Sequence, residues 1–320
     1  MGAHDYFRTT VMIKYFFKTI RSQKVSELAE AKPGTWVHAE APTADEIEQL
    51  VKRFKLEPGH IEDALDEDEV PRLEREDDQT YVFVRYAYKT ASGEMDTAPL
   101  LIVFGTEVVL TVSPFHLPAV DALLKGRPPF ATTQRAKLTL LILSHISTQY
   151  DTFINQISRK IKAIRARLRG QGLTNQDLID FVTIEDELNE FLASLLPTNA
   201  TLRRLLVGRH IPLFEEDQDI VEDLLLNNEQ SIEAIRSNLK SISNIRDAYT
   251  AITSNNLNKT ITLLTLATIL VALPNVFFGM YGMNVHLPFQ HADWAFPAIV
   301  IFNLVLIVTI VTVARKKRII

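Results

Sequence analysis

Cysteine is absent from the chain. No disulfide, thiolate metal site or cysteine nucleophile is available, which fits a reducing compartment. Glycine is sparse, at 11 residues of 320. No phosphate-cradling glycine-rich loop, His-Glu-x-x-His or Gly-x-Ser-x-Gly pattern occurs. An enzyme or an ATP-driven pump is therefore not expected, nor is a nucleotide, nucleic-acid or organic-cofactor partner. The N-terminus carries no basic segment followed by a short apolar run, so no secretory signal is expected. Charge is missing from two long stretches: Thr260–Tyr281 and Ala295–Ala314 contain no Asp, Glu, Lys, Arg or His. Each is about 20 residues long, enough to cross ~30 Å of hydrocarbon as helix. Buried core helices are usually shorter and keep a polar face. Two uncharged stretches joined by a short loop favour a lipid bilayer.

What charge there is sets the topology. Arg315, Lys316, Lys317 and Arg318 follow the second stretch and Lys259 precedes the first, whereas Gly282–Trp294 has no Lys or Arg. The positive-inside rule places both termini in the cytoplasm and the loop outside. The expected location is a plasma (inner) membrane crossed twice.

Before the membrane the chain divides by pattern. Thr10–Phe17, Thr35–Glu40, Tyr81–Lys89, Ala98–Phe104 and Glu107–Ser113 are rich in Val, Ile, Phe and Tyr and read as strands. Thr43 reads as a helix cap with Glu46 completing a capping box, and Ile47, Leu50, Val51 and Phe54 form its apolar stripe. This is the signature of an α/β domain over residues 1–130. Residues 131–212 read as antiparallel helices. One runs from about Gln134 to Arg169 and stops at Gly170-Gln171-Gly172; the next runs from about Thr174 toward Gly208, with a kink or break expected at Pro197.

A third helix begins after Pro212, and no Pro or Gly interrupts the chain again until Pro274. Ile232, Ile235, Leu239, Ile242, Ile245, Tyr249 and Ile252 recur at threes and fours, which makes one face apolar. A stalk over 213–259 is thus expected to run without a turn into a first span over 260–281. A single helix from Phe214 to Tyr281 would be on the order of 100 Å long and must pack against something. A bundle within one chain would cover it; burial against copies of the chain is the preferred expectation. The remaining divisions are the outward loop (282–294), the second span (295–314) and a basic tail (315–320). Two spans per chain cannot enclose a pore, so conduction would require several chains.

At the outer end of the first span stands Tyr281-Gly282-Met283-Asn284. With two C-terminal spans, a short outward loop, a basic tail, a long preceding helix and an α/β domain, the chain resembles the CorA family of magnesium transporters, whose signature is Gly-Met-Asn at that place. Trp36-Val37-His38, Pro42-Thr43, Ile61-Glu62-Asp63-Ala64-Leu65 and Pro71-Arg72-Leu73-Glu74 also look like family segments, in the family's order. The resemblance implies a funnel-shaped homopentamer in a lipid bilayer, with five first-span helices lining the pore. It implies passage of hydrated Mg²⁺, often also Co²⁺ or Ni²⁺, down its gradient. A zinc-transporting branch shares the signature.

Mg²⁺ holds its water tightly and dehydrates reluctantly. A ring of Asn284 amide oxygens, with the Gly282 carbonyl nearby, suits the water shell of the ion: strong enough to recruit it, weak enough to release it. Gly282 is expected to permit a tight turn at the helix end, and Tyr281 and Met283 to pack the loop. Asn258, Ile261, Thr265, Thr268, Ala272, Asn275 and Gly279 recur at threes and fours and share one helix face. By resemblance Asn258, Ile261, Leu264, Ala272, Asn275 and Gly279 match family pore positions, with Ile261 and Leu264 as a constriction that gates by excluding water. The hydroxyls of Thr265 and Thr268 either face the pore or bond back to a carbonyl one turn earlier. Asn275 is polar at membrane depth and needs a partner: pore water, a carbonyl freed by Pro274, or another helix. Neither span carries a carboxylate or His, which argues against a proton-coupled carrier.

Glu57–Asp78 is densely acidic. Most of it reads as solvated surface. Glu62 and Asp63, with Asp223 on the stalk, are the candidates for binding regulatory Mg²⁺ at subunit interfaces; by resemblance Asp63 faces a neighbouring stalk and Asp223 holds the matching position. Two features depart from the family. The helix before Gly170 carries Arg159, Lys160, Lys162, Arg165, Arg167 and Arg169, where well-known members are acidic. The outward loop lacks the Glu that usually follows the signature and offers Asp293, His286 and His291, which leaves a transition-metal preference open. A rival reading, a two-span membrane sensor or scaffold, predicts no polar stripe in the first span.

Overall fold

A computed structural model describes residues 13–126, 128–170, 172–207, 210–289 and 291–317, without the side chains of 169 and 170. Thr10–Met12 of the first expected strand, Gln171, Gly208, Arg318 and the Arg169 side chain lie outside the described residues. The described chain forms two compact units, 1–243 and 244–320.

The first unit is built on a seven-stranded sheet in the order β2-β1-β3-β7-β6-β5-β4. The strands are β1 (Ile13–Phe17), β2 (Ser26–Leu28), β3 (Trp36–Glu40), β4 (Arg72–Glu76), β5 (Gln79–Lys89), β6 (Met95–Phe104) and β7 (Val109–Ser113). All pairings are antiparallel except β3 with β7. The five expected strands are present; β2 and β4 were not foreseen.

Alternation along β3 shows how the sheet is covered. Val37 and Ala39 join a core with Leu50 of α1 (Ala44–Phe54), Ile61 of α2 (Pro58–Asp63), and Leu56 and Ala64, which follow those two helices. Trp36 and His38 point to the other face. There Trp36 Nε1 donates to Thr111 Oγ1 at 3.0 Å and the Trp36 ring meets Phe130 edge-on. The capping box of α1 is formed as expected: Thr43 accepts from the Glu46 amide, and the Glu46 carboxylate accepts from the Thr43 amide at 2.8 Å.

The second face carries α4 (Arg135–Gly170) and α5 (Asn175–Leu206); α3 (Pro118–Leu124) adjoins α4. Tyr150 on α4 is buried, donates to the Arg85 carbonyl at 3.1 Å and packs edge-on against Phe191 of α5. Of the kink or break expected at Pro197, the break does not occur: α5 continues through it. Leu195 and Leu202, buried on either side of it, hold the helix in place, and packing outweighs the one backbone bond a proline removes.

The helix α6 (Glu215–Tyr281) is continuous through 67 residues. Within the first unit its apolar stripe is covered by its own chain. Ile232, Ile235 and Ile242 are buried, and polar contacts tie this stretch to its neighbours: Asn238 Nδ2 donates to Ser158 Oγ at 2.8 Å, and Asn228 Nδ2 to the Leu195 carbonyl at 3.0 Å. For this part of the stripe, this corrects the expectation that copies of the chain bury it; Ile252, at its far end, is 47% exposed in the single chain. Periodicity reveals a covered face but not what covers it.

The second unit holds the remainder of α6 and α7 (Ala295–Lys316). Both helices are long and apolar enough to cross a membrane, and in the most apolar stretch of each almost no residue is fully buried within the chain. Leu263, Leu264, Val271, Phe296 and Ile301 are all more than half exposed. Such a surface is not compatible with a monomer in water.

Candidate functional site

At 3.6 residues per turn, Asn258, Ile261, Leu264, Thr265, Thr268, Ala272, Asn275 and Gly279 fall within an arc of about 120° on α6. All eight are exposed in the single chain, Leu264 to 67%. The half-buried positions of the same stretch are Thr262, Leu266, Leu270, Leu273, Pro274 and Phe277. They occupy the opposite side, where Phe277 meets Phe302 of α7 at 5.1 Å, edge to face. The polar and small residues therefore face away from α7. The stripe that a sensor or scaffold would lack is present, and it is unpartnered within the chain.

The threonines bond back along the helix. Thr265 Oγ1 donates to the Ile261 carbonyl at 2.8 Å and Thr268 Oγ1 to the Leu264 carbonyl at 2.9 Å. Each hydroxyl has spent its proton, so what it offers outward is an acceptor oxygen. Water bound to a cation points its protons outward, so acceptor-only oxygens suit such a shell. The Asn275 side chain makes no hydrogen bond among the described residues and lies exposed on the same face.

A tight turn stands at the end of α6 as expected, but Gly282 makes it without a left-handed conformation; among the described residues the positive-φ glycines are Gly34, Gly93, Gly126 and Gly172. Its amide donates to the Phe278 carbonyl at 3.0 Å and the Gly279 carbonyl at 3.2 Å, and Met283 N–H donates to the Met280 carbonyl at 3.3 Å. The helix thus tightens before it stops. A Cβ at 282 would sit 3.4 Å from the Phe278 oxygen, so the backbone does not demand glycine there. The loop beyond is held by Tyr281 Oη, which donates to the Pro288 carbonyl at 3.3 Å, and by the Phe289 ring on Trp294 at 5.2 Å. Asn284 is exposed just outside these contacts, as is Met283.

The candidate sensing residues are not brought together within one chain. Asp63 is paired with Arg72 at 2.6 Å. Arg72 also binds Glu69 and Glu74 and lies over the Phe83 ring at 3.8 Å. Burial disfavours the Arg72 charge, but Glu74, Glu69 and Asp63 outweigh it and raise its pKa. Glu62 and Asp223 are exposed. Among the described residues no three His, Asp or Glu side chains converge as a metal site, and this includes exposed His286 and His291 of the loop. On the basic end of α4, Arg167 pairs with Asp177, and Arg159, Lys160, Lys162 and Arg165 are solvated.

Sequence reasoning missed two residues. Arg72 was part of a family segment but was not given the role of neutralising Asp63. Asn303, a lone amide in the apolar run of α7, is only 4% exposed; Nδ2 donates to the Ile299 carbonyl at 2.8 Å, and Oδ1 has no partner among the described residues. A single amide inside twenty uncharged residues is a signal that periodicity alone passes over.

Comparison with known proteins bears on the whole assembly of features. The family model described as "CorA-like Mg2+ transporter protein" matches residues 32–318. The cobalt/magnesium transport protein CorA of Methanocaldococcus jannaschii is 23% identical over 289 residues, covering 88% of this chain and 90% of that protein. The complete structure of the CorA magnesium transporter from that organism superposes with a TM-score of 0.84 at 20% identity, covering 96% of this chain and 98% of the other. The full-length CmaX protein gives a TM-score of 0.76 at 17% identity, with 95% and 99% covered.

Proposed function

The chain belongs to the CorA-like Mg²⁺ transporter family, and on that premise we propose that it lets hydrated Mg²⁺ cross a membrane passively, through a pore enclosed by five copies of the chain. The observation that carries the reading is the face of α6 from Asn258 to Gly279. It is polar or small over most of its length, turned away from α7, and ends one turn from Gly282-Met283-Asn284.

The steps follow from the residues. A ring of Asn284 side chains offers amide oxygens to the water shell of an arriving ion, so the ion is recruited without losing its water. Below it, Gly279 and Ala272 keep the path wide, and Asn275, Thr268 and Thr265 supply further oxygens. Ile261 and Leu264 form the apolar constriction, which closes by dewetting. Asn258 stands at the cytoplasmic mouth, with Lys259 and the basic residues after α7 on that side. Co²⁺ and Ni²⁺, of similar size and hydration, follow the same route. Mg²⁺ on the cytoplasmic side closes the pore by bridging subunits through Asp63, with Glu62 and Asp223. The reading needs no organic cofactor or nucleotide.

The test is flux into liposomes with a panel of metals. Mg²⁺ should enter without ATP and the flux should collapse in Asn284→Ala. Entry of Zn²⁺ alone would move the chain to the zinc-transporting branch, and retained Mg²⁺ flux in the variant would remove Asn284 from the ion path.

A further inference from the structure

The turn between β5 and β6 faces α5 across a cleft of about 320 Å³. Its lining includes Glu94 and Asp96 from the turn side and Asp186, Glu187 and Glu190 from α5, with no Lys or Arg among the lining residues. An acidic cleft by itself is ordinary surface. Glu187 makes this one different, because it is 5% exposed. Its Oε1 accepts from the Met95 amide at 2.8 Å, and its Oε2 is buried with no partner among the described residues.

The other carboxylates are unequally committed. Glu190 accepts from Thr97 Oγ1 at 2.6 Å and pairs with Arg85 at 3.3 Å. Asp96 accepts from the Thr97 amide at 2.7 Å. Glu94 has one long contact, from Ser92 Oγ at 3.4 Å. Burial raises the Glu187 pKa, against the Met95 amide and the more distant Lys160 and Lys89, and among the described residues no cation pairs with it within 4.0 Å. A buried carboxylate oxygen without donor or cation is costly, and Glu94 and Asp186 add negative charge to the same cleft.

We infer that this cleft is a binding site for a hydrated divalent cation, with Glu187 as its buried anchor and Glu94 and Asp186 closing over the ion from the two sides. Among the described residues no three ligating side chains converge for direct coordination, so the ion would be held through its water shell. Six waters at roughly 30 Å³ each occupy about 180 Å³, which the cleft accommodates. Mg²⁺ is the divalent ion that most characteristically retains its shell and takes only one or two carboxylates. The bound ion would tie the β5–β6 turn to α5 within one subunit. The site is separate from the Asp63 and Asp223 positions and does not depend on the pore.

Hydrogen exchange on the purified full-length protein, with MgCl₂ titrated against NaCl at constant ionic strength, tests this. Amides of residues 90–96 should gain saturable protection with Mg²⁺. Glu187→Gln should lose it, and so should Glu94→Gln/Asp186→Asn, whose substitutions are on the surface and leave the core untouched. In either variant the apparent affinity should fall at least about tenfold as ligand charge is removed. Asp63→Ala should keep the protection. Absence of Mg²⁺-dependent protection in the natural protein, or its persistence in both the Glu187 variant and the surface double variant, overturns the site. Neither outcome bears on flux.

Discussion

Arg72 holds Asp63 at 2.6 Å, and it does so from a guanidinium shared with Glu69 and Glu74 and seated on Phe83. The carboxylate best placed by resemblance to bind regulatory Mg²⁺ already has a cation of its own. Any ion that bridges subunits through Asp63 must compete with it. Arg72→Gln removes the competitor. The Mg²⁺ concentration that half-protects the protein from protease should then fall about three- to fivefold, the worth of a partly exposed ion pair. An unchanged midpoint would take Asp63 out of sensing, and Asp63→Ala/Asp223→Ala should abolish the protection altogether.

Gly34 precedes β3 in a left-handed conformation, φ +83°, and a Cβ there would lie 2.8 Å from Thr133 Cγ2. Gly34→Ala meets two costs: about 1–2 kcal/mol for the backbone and about 1–3 kcal/mol for overpacking. Adding Thr133→Ser removes the offending methyl. The double variant should recover the second cost and not the first, as read from thermal unfolding of the detergent-solubilised protein. If Gly34→Ala melts with the natural protein, the close approach is not a constraint.

A pH dependence follows from Glu40, which lies 3.5 Å from His38 and 3.0 Å from His116. The His38 contact, opposed by burial and aided by His116, lowers the Glu40 pKa from 4.5 to about 2. Its contribution is thus fully present above 4.5 and is lost as pH falls toward about 2. For His116, burial works against the charge, but Glu40 and Asp121 outweigh it and raise its pKa above 6.5. That contribution is present below 6.5 and disappears as pH rises through the raised value. The His116 side chain is 56% exposed, so screening holds the effect below about 1 kcal/mol. The melting temperature of the natural protein should decline between pH 6 and 8, and His116→Ala should flatten that decline; parallel curves would refute the assignment.

Much of this architecture is written locally. The box at Thr43 and Glu46, the uncharged runs and the polar stripe of α6 each depend on residues within a few turns of one another, so they are visible as spacing. What is not visible depends on the partner. Arg72-Leu73-Glu74-Arg75-Glu76 is a strand because it pairs with β5 at the sheet edge, and four charges in five residues suit an edge while hiding the strand from propensity. Pro197 reads as a break until buried neighbours hold the helix through it. Glu187 looks like any helical surface acid, yet its partner amide, Met95, is 92 residues away. The pairing of Asp63 with Arg72 is nearer in sequence, but it needs the strand that propensity misses.

The threonines of α6 allow the proposed ion path to be separated from helix structure. Thr262, Thr265 and Thr268 make the same bond back to a carbonyl four residues earlier, at 2.8, 2.8 and 2.9 Å. Thr265 and Thr268 lie on the exposed stripe, whereas Thr262 belongs to the half-buried face toward α7. Valine keeps the shape and deletes the oxygen. If the oxygens accept from the water shell of a passing ion, Thr265→Val and Thr268→Val should each lower Mg²⁺ flux about three- to tenfold, the value of one hydrogen bond of about 1 kcal/mol. Serine at either site should restore most of it, and Thr262→Val should leave flux unchanged. Equal losses at all three positions would mean that the hydroxyls serve the helix and not the ion, and the face turned away from α7 would no longer be the conducting one.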